Sequence, residues 1–148
     1  MHGIILLIHI LAATVWTGGH LILATTILPG ALRRKSVDEL LRFESGYERV
    51  GIPALILLVL TGLWLAFRLV PDVGEWVNLQ NPLALGICIK LTLLALTAAF
   101  AVDARLRIIP GLSEKNLNSL AWHIVPVTVL SVLFVATGVS FRTGWLFA

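Results

Sequence analysis

The stretch Ile4-Ile5-Leu6-Leu7-Ile8-His9-Ile10-Leu11-Ala12-Ala13-Thr14-Val15-Trp16-Thr17-Gly18-Gly19-His20-Leu21-Ile22-Leu23-Ala24-Thr25-Thr26-Ile27-Leu28 decides the fold. It contains no Asp, Glu, Lys or Arg. As a helix it is long enough to cross the roughly 30 Å hydrocarbon core of a bilayer. A helix turns about 100° per residue, so His9 and His20 fall within roughly 20° of one face, roughly 16 Å apart along the axis. The stretch reads as a membrane helix with two imidazoles on one stripe at two depths. Ionisable groups inside a span are costly and point to function.

The rest of the chain agrees. Of its 148 residues 58% are hydrophobic and 13% charged, and mean hydropathy is +0.96. A soluble domain carries about 25% charge. The N-terminus has no basic region, and the first apolar run is too long for a secretory signal, so it is expected to stay as a span. The formal charge of +3 does not indicate nucleic acid, because the basic residues flank spans, where they orient a membrane protein. The lone Cys88 cannot form an intrachain disulfide and reads as a packing residue.

Four apolar segments are expected to span, at approximately 4–28, 50–70, 83–102 and 120–141. The implied fold is an all-α membrane protein, an antiparallel up-down four-transmembrane-helix bundle in one domain over 1–148. Pro29, Pro71, Pro82 and Pro110 are read as punctuation between segments. Ser36-Val37-Asp38-Glu39 fits a capping box that starts a helix running into the second span, and Ser113 is expected to cap the fourth. Arg33, Arg34, Lys35, Arg42 and Arg49 fill the first connection, and Arg105, Arg107 and Lys115 the third. Only Arg68 and Arg142 lie at the other end. Positive loops stay in the cytoplasm, so both termini are expected outside, on the periplasmic face of a bacterial inner membrane.

This topology brings distant residues to similar depths. His20 in the first span and His123 in the fourth share the cytoplasmic half, where they are candidates to meet one ligand. His9 and Lys90 share the outer half; Lys90 is a second ligand or the partner of a cofactor carboxylate. Histidines bonded to backbone, and a lysine snorkelling to the headgroups, are the alternatives. Asp103 reads as half of a local ion pair with the arginines after it, and Glu44, Tyr47 and Glu48 as the rim of the inner site. Gly18, Gly19, Gly62, Gly86 and Gly138 let helices, or a flat cofactor, approach closely. Trp76, Trp122 and Trp145 read as interface anchors, and Trp16 as a core residue. No Cys-x-x-Cys-His, phosphate loop or hydrolase triad is present, and Met1 is the only methionine.

The run His9-Ile-Leu-Ala-Ala-Thr-Val-Trp16-Thr-Gly18-Gly19 resembles the opening of the copper resistance protein D family and of the HemJ-type protoporphyrinogen oxidases. Tyr47-Glu-Arg-Val-Gly-Ile-Pro53-Ala and Leu60-Thr-Gly-Leu-Trp64 resemble their second helix, and Ile89-Lys90-Leu91 the lysine-bearing third. The HemJ resemblance implies haem b and porphyrinogen oxidation, with the functional His and Lys at His9 and Lys90. The copper resistance D resemblance implies copper import or tolerance. The segment after Gly19 departs from HemJ: His20-Leu-Ile-Leu-Ala-Thr-Thr-Ile-Leu-Pro29 lacks its aromatic-rich run and second histidine. His20 and His123 belong to neither pattern.

The leading expectation is a membrane protein binding haem b through His9, His20 or His123, with Lys90 beside the site, in intramembrane electron transfer or porphyrin chemistry. Whether it is an enzyme, such as a haem-dependent oxidoreductase, stays open. A quinone or other redox partner and a homodimer are compatible with it. The alternative is a non-enzymatic protein that binds copper through the same histidines. A third reading is an assembly subunit with no cofactor.

Overall fold

Each apolar run forms part of a longer helix. α1 spans His2–Arg34, α2 Val37–Leu69, α3 Pro82–Gly111 and α4 Leu117–Thr143, and all four are long and apolar enough to cross a membrane. The computed structural model describes residues 1–146, with no strand among them. Large apolar side chains point outward, as with Leu60 at 61% exposed and Ile4 at 64%. Hydrocarbon is the solvent that suits them. Threonine hydroxyls within the helices donate to the carbonyl four residues back, as Thr97 does to Leu93 and Thr137 to Leu133, so few polar atoms face lipid unpaired.

One of the prolines expected to end helices does not: Pro29 lies inside helical chain that continues to Arg34. Pro110 lies in the last turn, Ile109–Gly111, after which the chain is extended at Leu112, as expected. Each follows a five-residue π turn, Leu23–Ile27 and Ala104–Ile108, closed by Leu28 N–H on Leu23 O and by Ile109 N–H on Ala104 O. A proline ring clashes with the carbonyl four residues back. A wider turn in front of it relieves that clash and lets the chain stay helical.

The α1–α2 turn is as the capping pattern predicts at Ser36, whose Oγ accepts from Glu39 N–H at 3.3 Å. The other half of the box is replaced. Glu39 pairs with Arg34 at 2.7 Å, and Ser36 N–H bonds Ala31 O at 2.9 Å. Lys35 makes the turn in the left-handed region, at φ 53°. Ser113 does not cap α4. The helix begins at Leu117, and Asn116 folds its side chain back onto Ser113 N–H and Gly111 O. His123 is therefore closer to the helix start than the sequence suggested.

α1 packs against α2 and α4, and α3 packs against α4. α2 and α3 make no comparable close contact along their length and are joined at their ends. At the end that carries the loop arginines, Arg105 reaches Glu48 at 3.0 Å and Glu44 at 3.6 Å. At the opposite end, where the helices carrying both termini finish, Trp76 is buried with Ala66, Val70 and Ile87 and donates its indole N–H to Val70 O at 2.8 Å. Trp76 is thus a plug between α2 and α3 and not the expected interface anchor. Trp122 and Trp145 are exposed, at 76% and 62%. The basic end has its own core of Leu28, Ala31, Leu40, Leu117, Leu120 and Ile124.

Candidate functional site

The interior stripe of α1 carries His9, Ala12, Trp16 and His20, with Ala12 and Trp16 buried. His20 turns its Nδ1 onto the Trp16 carbonyl at 2.9 Å. A carbonyl only accepts, so the proton sits on Nδ1 and the Nε2 lone pair is left available. Tyr47 of α2 donates its hydroxyl to the same carbonyl at 2.9 Å. The three rings form one group. His20 lies 4.4 Å from Trp16 and 5.6 Å, edge-on, from Tyr47, centroid to centroid. Two glycines make this possible. A Cβ at Gly19 would fall within the Tyr47 ring, and one at Gly51 would lie 2.8 Å from it. The buried Trp16 Nε1 has no hydrogen-bond partner among the described residues.

His9 is held in the same way by a different partner. Its Nδ1 lies 2.8 Å from Thr61 Oγ1 of α2, and that hydroxyl spends its own proton on Leu57 O at 2.5 Å. The threonine oxygen then accepts from His9 Nδ1–H, and Nε2 keeps its lone pair. The His9 ring sits against Gly62, where a Cβ would come within 3.2 Å of it.

Lys90 of α3 does not run out to lipid. Its Nζ lies 5.5 Å from the centre of the Phe141 ring on α4. It fills the notch at Gly138, where a Cβ would be 3.4 Å away. The ammonium is within electrostatic reach of His9. His9 and Lys90 therefore share the termini end of the interior, each in a glycine notch of a neighbouring helix.

His123 is placed differently from His20. Thr128 of α4 approaches His20 O at 3.2 Å. His123 is five residues nearer the helix start, about 7 Å along the axis. It faces α3, with Nε2 on Asp103 at 2.8 Å, Nδ1 on Ser119 O at 2.8 Å and Phe100 edge-on at 5.7 Å. Both nitrogens are thus engaged within the protein. Asp103 also takes Arg107 at 3.0 Å, the local ion pair expected from the sequence. His20 packs toward α2 and His123 toward α3.

Of the glycines singled out in the sequence, Gly19, Gly62 and Gly138 are filled by the Tyr47, His9 and Lys90 side chains, while Gly18 meets nothing within 4 Å. Among the described residues no group of three or more His, Cys, Asp or Glu could hold a metal ion. Tyr47 matters more than a rim residue. Its signal in the sequence is the glycine one helical turn later, Gly51.

Fold and interior together define a multi-pass membrane protein of four helices with imidazole and ammonium groups held inside it. Residues 41–141 match the family model described as copper resistance protein D. The chain belongs to that family. No curated protein and no solved structure matches it. The match favours the copper reading of the sequence over the haem reading.

Proposed function

We propose that this chain is a copper-handling protein of the membrane, with copper as its cargo and His20 as the ligand that meets it. The observation that carries the reading is the His20 ring itself. Its Nδ1 proton is pinned by backbone, its Nε2 is free, and the rings of Trp16 and Tyr47 stand beside it. Fixing one imidazole nitrogen orients the other for a metal. An electron-rich aromatic face attracts a cation, most strongly in a desolvated setting. Imidazole suits copper, and a site with a single strong ligand suits a metal that must leave again.

His9 offers a second free Nε2 on the same stripe, roughly 16 Å away along α1. The Lys90 ammonium disfavours a cation there, so His20 is the stronger position. His123 acts through Asp103, fastening α4 to α3. By the positive-inside rule His20 lies in the cytoplasmic half of an inner membrane and both termini are outside.

The test is to purify the full chain in mild detergent from cells replete in copper and haem, assay metals and record the visible spectrum. Copper near one per chain with no Soret band is expected. A reduced spectrum with sharp α and β bands and no copper would restore haem b and overturn the copper reading.

A further inference from the structure

Among the described residues, none of the ion pairs includes the Lys90 ammonium, and no carbonyl, hydroxyl or carboxylate accepts from it. The eight acidic residues all lie toward the ends of the spans or in the connections. The two at the termini end are occupied: Asp72 accepts from Gly74 N–H at 2.8 Å, and Glu75 from the Asn78 amide at 2.8 Å. Lys90 stands eight residues into α3, about 12 Å from the helix start. A lysine at this depth ordinarily runs out to the headgroups or finds a partner. This one is turned inward, into the Gly138 notch and near the face of Phe141.

His9 faces the same space, and its one bonded nitrogen is already used on Thr61. α2 and α3 lack close packing along their length, and Trp76 closes the seam between them at the termini end.

We propose that Lys90 is the anchor of a monovalent anion site within the termini end of the bundle. The chemistry is a single negative charge accepting from Nζ. The anion is either a free halide from water or the carboxylate of an apolar molecule from the lipid. The site does not depend on copper, so it stands or falls separately from the proposed function.

The chain has three lysines, Lys35, Lys90 and Lys115. Labelling lysine Nζ with ¹⁵N in the full chain, held in zwitterionic nanodiscs, gives one resonance each, and Lys90→Met assigns the interior one. Chloride against gluconate tests the aqueous source. Oleate against oleyl alcohol tests the lipid source. A saturable shift of the Lys90 resonance alone, with chloride or with oleate and not with its control, is expected. Gly138→Leu, which fills the notch, should abolish that shift while the other two resonances stay. No saturable change at Lys90 with either anion would overturn the proposal. So would equal, unsaturating shifts of all three lysines, or a shift that persists in Gly138→Leu.

Discussion

Tyr47 occupies space that Gly19 and Gly51 leave open, and through it α2 holds the backbone of α1 at Trp16. Any side chain at Gly19 must displace a ring that is itself hydrogen-bonded. Gly19→Ala is therefore expected to destabilise by about 1–3 kcal/mol, read by unfolding in mixed micelles with dodecyl sulfate. In a Tyr47→Leu background the same substitution should cost clearly less, because contacting residues couple. An equal cost in both backgrounds would contradict the packing described. The stripe of His9, Trp16 and His20 was legible in the sequence because helical periodicity fixes it. The partner of each was not, because Thr61, Tyr47 and Asp103 come from other helices. His20 and His123 looked matched in depth only while α4 was taken to begin at Ser113; its true start at Leu117 leaves His123 nearer the helix end.

The helices show which local signals survive in context. The Ser36 cap was legible and forms, since it needs only its own turn of chain. Ser36→Ala is expected to cost about 1 kcal/mol in the same unfolding measurement, and no change would show that the cap is idle. Glu39 left the box for Arg34, a charge that a local pattern does not weigh. Pro29 was misread because a proline ordinarily breaks the backbone ladder, whereas Pro110 does stand in the last turn of α3. The π turn before Pro29 answers the clash without ending the helix.

For the whole molecule, four spans followed from composition and segment length, which hydrocarbon thickness dictates. The unequal packing did not, because apolar helices in lipid carry no stripe that names their neighbours. The charge bias predicts an orientation for the bundle. A C-terminal alkaline phosphatase fusion should be active and a C-terminal green fluorescent fusion dark; the reverse pattern would place His20 in the outer half. The family match is the support for copper as the metal, and His20 is the ligand we propose for it. The most direct measurement is a Cu(I) titration of the detergent-purified chain against a chromophoric Cu(I) chelator. One Cu(I) per chain is predicted for the native chain and for His123→Ala, with at least a tenfold weaker affinity in His20→Ala. Unchanged Cu(I) affinity in His20→Ala, or no binding by the native chain, would contradict the assignment.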